Sequence, residues 1–245
     1  MSSQNLTLYA FETPQGLFNT SPYCVKADIL LRMADMPFSL QIPENHKIFP
    51  KGKLPVLKDG DLIIEDSEFI RLHLAEQYGK TLDGSLSEQE KTVGHALIRM
   101  LDERTMLGLL QGRWIDDEGW KVLEELFFGE LPKDERTAVG TMLREQVSGG
   151  VMATGFGKHS RDEQQKLLAA DMQALASILA DKPWFFSNEP TYIDAAIFGM
   201  LVNFYAAPIP TRMAGLVGTH SNLVAYVQRG LALWYPQSLE MVAAE

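Results

Sequence analysis

Two short segments constrain the fold of this chain more than any other feature: KGKLPVL at residues 51–57 and IIEDSEFI at residues 63–70. Proline has no backbone N–H to donate, so Pro55 is expected to begin a strand rather than to lie inside a central one. Asp66 and Ser67 stand where the second apolar run ends, and both residue types are favoured at helix N-termini. The segments therefore predict one strand that begins at a proline and another that leads into a helix.

The first eighty residues alternate between strand and helix signals. Alternating apolar residues and helical spacing predict β-α-β, an irregular segment and β-β-α: strand Leu6–Phe11, helix Pro22–Met36, strand Pro37–Ile42, hairpin strands Val56–Lys58 and Leu62–Ile64, and helix Ser67–Tyr78 closed by Gly79. The turn Asp59-Gly60-Asp61 suits a hairpin. This order is the thioredoxin-like arrangement.

The rest of the chain favours helix throughout. Helical segments are predicted at Glu88–Leu110, Glu118–Phe128 and Lys133–Val147, a glycine-rich break at Gly149–Gly157, and a last helix from Ser221 to Tyr235. Capping patterns at Ser160–Glu163 and Thr191–Asp194 predict two further helix starts. We therefore predict an α/β plus all-α chain, with a thioredoxin-like domain at residues 1–80 and an all-helical domain at residues 87–245.

The composition excludes several classes of function. With 22 basic and 32 acidic residues the net charge is −10, which argues against nucleic acid and anionic membranes as partners. The single cysteine, Cys24, allows no intrachain disulfide, and the five histidines lack metal-binding spacing. The apolar stretch 195–210 contains Asn203 and Pro208 and falls short of a membrane span. With no secretory signal pattern at the N-terminus, we expect a cytoplasmic protein without a metal.

Ser21 is the candidate catalytic residue, and it has two interpretations. Ser21-Pro22 is an ordinary helix start, since serine is a good N-cap and proline a good first residue. The same position suits thiol chemistry, because a helix N-terminus lowers the pKa of a nearby thiol and a serine hydroxyl can donate to a thiolate. Cys24, one turn further on, is either a small buried apolar residue or a nucleophile.

The opening segments offer a binding site beside Ser21. A cis peptide at Leu54-Pro55 would leave the backbone of Leu54 to pair with an extended ligand in strand fashion. The helix N-terminus at Asp66-Ser67 suits a carboxylate, and Asp66 suits an ammonium group. Lys51 and Lys53 are placed to meet a second carboxylate. Each feature also has an ordinary structural role, as a strand start, a helix cap or a solvated charge.

These motifs resemble the glutathione S-transferase superfamily. The resemblance rests on SPYC at 21–24, KGKLPVL at 51–57 and EDSEFI at 65–70. A longer likeness, to the metaxin and failed-axon-connections branch, runs through SPYCVKADILLRMADMPF, ELFFGELP, GFGKHS, PTYIDAAIFGML and NLVAYVQRGLALWYP. It covers almost the whole chain.

The resemblance implies a transferase that conjugates glutathione, its co-substrate, to a small hydrophobic electrophile. It also implies that the protein is a homodimer. Ser21 would stabilise the thiolate, Leu54 beside Pro55 would pair with the cysteinyl part, and Asp66 with Ser67 would hold the γ-glutamyl group. Family members usually carry Glu or Gln before that serine, and Asp66 is one methylene shorter; Glu65 is a possible substitute. The alternative is a non-enzymatic binding or assembly module with the same fold.

Overall fold

The structure is a computed structural model that describes residues 6–13 and 17–238. The chain divides into two compact units. The first unit comprises residues 1–95, 181–203 and 226–245, and the second comprises residues 96–180 and 204–225. The predicted boundary between domains at residues 80–87 falls in a stretch without helix or strand, and it stays a prediction.

The first unit contains a four-stranded sheet in the order β2-β1-β3-β4. Its strands are β1 (Leu6–Tyr9), β2 (Phe38–Gln41), β3 (Val56–Asp59) and β4 (Leu62–Glu65). β1 runs parallel to β2 and antiparallel to β3, and β3 and β4 form the predicted hairpin, with Val56 opposite Glu65. With its helices this sheet confirms the thioredoxin-like arrangement.

Ten α-helices accompany the sheet in the described residues. They are α1 (Pro22–Met33), α2 (Ser67–Tyr78), α3 (Glu88–Met100), α4 (Met106–Leu110), α5 (Asp117–Phe128), α6 (Lys133–Ala153), α7 (Arg161–Leu179), α8 (Tyr192–Tyr205), α9 (Arg212–Gly218) and α10 (Ser221–Trp234). π-Helical turns at Leu101–Thr105 and Gln111–Ile115 flank α4, so one helical path runs from Glu88 to Ile115. Among the described helices, none is long and apolar enough to cross a membrane.

Helix ends follow local chemistry where the sequence predicted them. Gly79 closes α2 in the left-handed region at φ 65°. Ser160 and Glu163 form the predicted reciprocal capping box at the start of α7. The predicted break at Gly149–Gly157 begins too early, because α6 continues to Ala153 and its residue Val151 is buried; the helix then ends, and Thr154 is extended. The short helix α9 was not predicted.

Each unit has its own core. In the first unit, the inner faces of the sheet and of α1 and α2 contribute fully buried side chains, namely Leu8, Ile29, Leu57, Ile70 and Leu74. In the second unit, the wholly buried Thr105 donates its hydroxyl to Asp171 Oδ2 at 3.0 Å and so ties the first π-helical turn to α7.

Candidate functional site

Ser21 is the N-cap of α1, as its position before Pro22 predicts. Its Oγ accepts the backbone N–H of Cys24 at 3.4 Å, and its carbonyl accepts the N–H of Val25 at 3.0 Å. The side chain is half-buried. An oxygen that accepts from the backbone keeps its own proton free to rotate, so the hydroxyl can still donate. The N-cap role and the thiolate-stabilising role are therefore compatible.

A pair of asparagines holds the backbone of Ser21 in place, and sequence reasoning missed both as site residues. The N–H of Ser21 donates to Asn19 Oδ1 at 2.9 Å, while Asn19 Nδ2 donates to the carbonyl of Phe11 at 2.7 Å. Asn203 Nδ2, on α8, donates to the carbonyls of Asn19 at 3.2 Å and Gly199 at 3.0 Å. The available signals were an Asn two residues before a capping Ser and a lone Asn in an apolar helix.

The N-terminus of α1 also packs closely on α8. A Cβ added at Gly199 would lie 2.6 Å from the carbonyl oxygen of Pro22. No side chain fits at that distance from backbone, so glycine at this position lets α8 support the residue next to Ser21.

Cys24 is a packing residue in this environment. It is 1% exposed and lies in a cluster with Ala10, Phe49, Leu54 and Val56. Burial raises the pKa of its thiol to about 11, although hydrogen bonds from the Phe11 backbone and the Ser21 side chain act in the opposite direction. A thiol with that pKa stays protonated at neutral pH and is a poor nucleophile. The structure favours the packing interpretation over the nucleophilic one.

The peptide bond between Leu54 and Pro55 is cis, as the sequence predicted. Leu54 packs in the same cluster as Cys24, and Cys24 lies one helical turn after Ser21. It precedes β3, and among the described residues its backbone N–H and carbonyl have no hydrogen-bond partner. These groups are available to pair with an extended ligand.

Asp66 and Ser67 form the N-terminus of α2. Asp66 Oδ1 accepts the N–H of Glu68 at 2.7 Å, and the N–H of Asp66 donates to the carbonyl of Pro55 at 3.3 Å. Asp66 has φ 89°, a region that favours glycine, and such strain often marks a functional position. The Ser67 side chain is buried, with 3% of its surface exposed, and makes no hydrogen bond to the described residues. Its hydroxyl is therefore available to a ligand.

The two lysines differ. Lys51 donates its backbone N–H to Glu65 Oε1 at 2.8 Å and its Nζ to the Glu65 carbonyl at 3.2 Å, and the Nζ lies 4.6 Å from the ring centroid of Phe69. Lys53 is exposed and forms no ion pair with the described residues. Lys53 remains free to meet a carboxylate. Glu65 is engaged by Lys51, so the idea that it substitutes for the longer side chain missing at position 66 loses support.

A part-buried ion pair, with Lys26 buried and Glu68 half-buried, fixes α2 against α1. Lys26 Nζ lies 2.7 Å from Glu68 Oε2, and Arg71 Nη2 lies 2.6 Å from Glu68 Oε1. Burial alone would raise the pKa of Glu68, but the charges of Lys26 and Arg71 and the hydrogen bonds from both outweigh it and lower the pKa to about 2. The pair holds the helix end that carries Asp66 and Ser67.

Contacts thus join all the predicted site residues except Lys53. Ser21 contacts Cys24, Cys24 packs with Leu54, and Pro55 accepts a hydrogen bond from Asp66. A serine at a helix N-terminus, a cis-proline before a strand and a second helix N-terminus, on a thioredoxin-like sheet, together define a glutathione-transferase type of fold.

Comparison with known proteins agrees with this class. The model of the glutathione S-transferase N-terminal domain matches residues 22–119, and that of the glutathione S-transferase C-terminal domain matches residues 168–230. The chain belongs to the glutathione S-transferase superfamily. Its fold is similar to that of apo human glutathione S-transferase T1-1, with a TM-score of 0.59 and 19% identity over 98% of this chain and 88% of the other.

The relatives include one protein that is named as a transferase and others that are not named as transferases. The chain is 28% identical to isoprene-epoxide–glutathione S-transferase of Rhodococcus sp., over 91% of this chain and 97% of the relative. It is 30% identical to failed axon connections of Drosophila melanogaster, over 79% of this chain and 49% of that protein. It is 23% identical to human metaxin-2, over 92% and 87% respectively. The predicted likeness to that branch is confirmed.

Proposed function

We propose that this protein is a glutathione transferase that conjugates glutathione to a small hydrophobic electrophile. The observation that carries the proposal is the placement of Ser21 at the N-terminus of α1. Ser21 contacts Cys24, and Cys24 packs with Leu54, whose backbone N–H and carbonyl have no hydrogen-bond partner among the described residues. The helix dipole and the Ser21 hydroxyl both favour the thiolate form of a sulfur placed there. An unperturbed thiol has a pKa of roughly 8.5, so a modest depression yields the nucleophile at neutral pH.

The other site residues bind and orient glutathione in this proposal. The backbone of Leu54 beside Pro55 pairs with the cysteinyl part, and Asp66 with Ser67 receives the γ-glutamyl ammonium and carboxylate at the α2 N-terminus. Lys53 meets the glycyl carboxylate. Each of these roles uses a group that still has hydrogen-bonding or ion-pairing capacity not used by the described residues, which supports the assignment.

An epoxide is the first electrophile to test, because one relative is named for an isoprene epoxide. In such a reaction the thiolate sulfur forms a bond to an epoxide carbon, and the carbon–oxygen bond breaks. The oxygen keeps the electron pair and takes a proton from water. Glutathione is consumed as a co-substrate, and the proposal requires no metal.

Replacing Ser21 by Ala is expected to leave glutathione affinity within a few-fold of wild type and to lower kcat by about 10- to 100-fold. A lost hydrogen bond to a charged group costs about 1.5–3 kcal/mol, and the thiolate is stabilised more than the bound thiol. Steady-state kinetics with an epoxide panel and calorimetry with glutathione measure the two effects.

Ser160→Ala is the matched control, because Ser160 caps α7 and its loss removes a helix cap without touching the proposed site. Both substitutions are expected to lower the free energy of unfolding by about 1 kcal/mol. Equal turnover of wild type and Ser21→Ala across all electrophiles that wild type conjugates would remove Ser21 from the proposed mechanism.

A non-enzymatic binding or assembly module is the second candidate. Asp66 is shorter than the usual residue, Glu65 is engaged by Lys51, and relatives such as metaxin-2 are not named as transferases. This candidate predicts no heat of binding with millimolar glutathione. The transferase proposal predicts saturable binding under the same conditions, so one titration separates them.

A homodimer and a cytoplasmic location complete the proposal. Both come from the family resemblance and the composition of the chain rather than from a described contact. Sedimentation equilibrium of the purified chain tests the first, and a fluorescent fusion in its native cell tests the second.

A further inference from the structure

Asn203 is a buried amide in the last turn of the apolar helix α8. It is 1% exposed, and apart from the tyrosines at the two ends Asp194 is the only other polar residue of this helix. Moving an amide out of water costs free energy unless its hydrogen bonds are replaced. Asp194 accepts hydrogen bonds at the start of α8, but Asn203 lies at the opposite end. The amide of Asn203 therefore makes a contact that an apolar side chain at this position could not make.

That contact joins α8 to the loop before α1. Asn203 Nδ2 donates to the carbonyl of Gly199 at 3.0 Å and to the carbonyl of Asn19 at 3.2 Å. The Gly199 carbonyl lies four residues back in the same helix, where a regular α-helix already supplies a backbone N–H. The bond to Asn19, 184 positions earlier in the chain, is therefore the contact that the buried amide adds.

Asn19 in turn closes the loop between β1 and α1 with its side chain. This loop has no helix or strand in its described residues, 10–13 and 17–20. Asn19 Nδ2 donates to the carbonyl of Phe11 at 2.7 Å, and Asn19 Oδ1 accepts the N–H of Ser21 at 2.9 Å. One side chain, on a residue that is 7% exposed, thus ties the segment after β1 to the start of α1. The bond from α8 to the Asn19 backbone holds that side chain in place.

The direction of the Ser21 hydroxyl depends on this anchored backbone. Ser21 has φ −95° and ψ 118°, outside the helix that it caps, so the helix does not fix its conformation. A hydrogen bond weakens steeply when its distance or angle departs from the optimum. A misplacement of about 1 Å in a positioned group costs about 100-fold in rate. The bond from Asn203 to Asn19 is therefore suited to control how well Ser21 stabilises a thiolate.

We propose that Asn203 is a positioning residue for Ser21. Through the backbone of Asn19 it holds the Ser21 hydroxyl in the direction that a bound glutathione thiolate requires, and it does not itself contact the substrate. This role rests on the proposed function, because it assumes that Ser21 stabilises the thiolate. It adds that a residue of α8, remote in sequence from the site, sets the strength of that stabilisation.

Two substitutions test the role by kinetics. Asn203→Leu removes the amide at similar side-chain volume, and Asn203→Ala removes it with a smaller side chain. Both are expected to lower kcat with an epoxide by about tenfold, since the Ser21 hydroxyl remains but loses its alignment. The KM for glutathione is expected to stay within a few-fold of wild type, because the binding groups of Leu54 and Asp66 are unchanged. The pKa of the bound glutathione thiol, read from thiolate absorbance, is expected to rise part of the way toward roughly 8.5.

The protein without ligand gives a second readout, which does not depend on turnover. Hydrogen exchange at the Ser21 amide, measured by NMR, is expected to be at least about tenfold faster in Asn203→Leu, because its acceptor on Asn19 is no longer held in place. The amide of Ile197, in the buried middle of α8, is expected to remain protected. That protection verifies that the variant is folded.

Asn222→Leu is the matched control. Asn222 Nδ2 also donates to two backbone carbonyls, those of Ala176 at 2.9 Å and Ala180 at 3.0 Å, but it joins the start of α10 to the end of α7. The control variant loses the same kind of hydrogen bond away from Ser21. It is expected to keep the wild-type kcat, the wild-type pKa of the bound thiol and the wild-type exchange at the Ser21 amide.

A double variant shows whether Asn203 acts through Ser21. Turnover of Ser21→Ala with Asn203→Leu is expected to equal that of Ser21→Ala alone, because a hydroxyl that is absent cannot lose its alignment. Residues that act through one another give such non-additive effects, whereas independent residues give additive ones.

Three results would overturn the positioning role: wild-type kcat, thiol pKa and Ser21 exchange in both Asn203 variants, an equal loss in Asn222→Leu, or a further loss of turnover when Asn203→Leu is added to Ser21→Ala. If Ser21→Ala lowers turnover and Asn203→Leu does not, the positioning role fails alone. If wild type forms no glutathione thiolate, the proposed function fails and the positioning role fails with it. The two failures are therefore distinguishable.

Discussion

Replacing Asp194 by Ala is expected to lower the free energy of unfolding by about 3 kcal/mol or more, because each buried donor left without an acceptor costs roughly 1–3 kcal/mol. Asp194 is fully buried at the start of α8. Its carboxylate accepts the N–H of Phe185 at 2.9 Å, the N–H and hydroxyl of Thr191 at 2.8 and 3.1 Å, and the Tyr226 hydroxyl at 3.2 Å. Urea unfolding followed by circular dichroism measures the loss.

Asp162→Ala is the control, since Asp162 is an exposed acidic residue in the first turn of α7. It is expected to change stability by no more than about 0.5 kcal/mol. An equal loss in Asp162→Ala and Asp194→Ala would contradict the assigned role of the buried carboxylate.

The same carboxylate gives a pH-dependent signature. Burial raises the pKa of Asp194 from 3.8 to about 6, although the hydrogen bonds to Thr191, Phe185 and Tyr226 oppose it. Between those values the folded state holds a proton that the unfolded state has released, so this group's contribution to stability falls as pH rises from about 4 to 6. The difference in the free energy of unfolding between wild type and Asp194→Asn, measured by urea unfolding at each pH, is therefore expected to decrease as pH rises from about 4 to 6.

Replacing Glu68 by Gln is expected to lower the free energy of unfolding by about 3–5 kcal/mol, because it leaves the Lys26 ammonium buried without its acidic partner. The Lys26 side chain is only 4% exposed and its Nζ lies 2.7 Å from Glu68 Oε2. Glu88→Gln breaks an exposed pair with Lys91 and serves as the control, with an expected loss of about 0.5 kcal/mol or less.

A double variant and a pH titration identify the cause. Lys26→Met with Glu68→Leu removes both charges and is expected to recover most of the loss, since an apolar pair replaces a buried ion pair at little cost. The pKa of Glu68 is lowered from 4.5 to about 2, so the pair stabilises fully above about pH 4.5 and loses its effect as pH falls toward 2. A double variant no more stable than Glu68→Gln would contradict this account.

Local signals predicted the elements of the fold well because those elements depend on local chemistry. The hairpin follows from an Asp-Gly turn between two short apolar runs, and the start of α1 follows from Ser21-Pro22. The end of α2 follows from Gly79, which tolerates the left-handed conformation. The capping box of Ser160 and Glu163 likewise needs only three residues of sequence.

Features that depend on distant residues were not predictable from pattern. Gly149 and Gly150 suggested a break, yet each costs only about 1 kcal/mol in a helix, and the packing of nearby Val151 keeps α6 helical. The Lys26–Glu68 pair joins residues 42 positions apart. No periodicity in a single sequence marks such a partnership.

In the candidate site, too, the features set by local sequence were predictable and those set by distant residues were not. Residue types and caps placed Ser21, Leu54 and Asp66, but the support of Ser21 by Asn203 spans most of the chain. The capture of Glu65 by Lys51 is also a tertiary contact. Sequence reasoning therefore proposed the groups that would carry chemistry and missed the groups that position them.

The pKa of the bound glutathione thiol tests the central claim most directly. Thiolate absorbs in the ultraviolet, so difference spectra of the protein with glutathione, recorded as a function of pH, report its ionisation at the site. The account predicts a pKa clearly below the unperturbed value of roughly 8.5 in wild type and in Ser160→Ala, and a return toward that value in Ser21→Ala. No thiolate signal in wild type, or the same lowered pKa in Ser21→Ala, would contradict it.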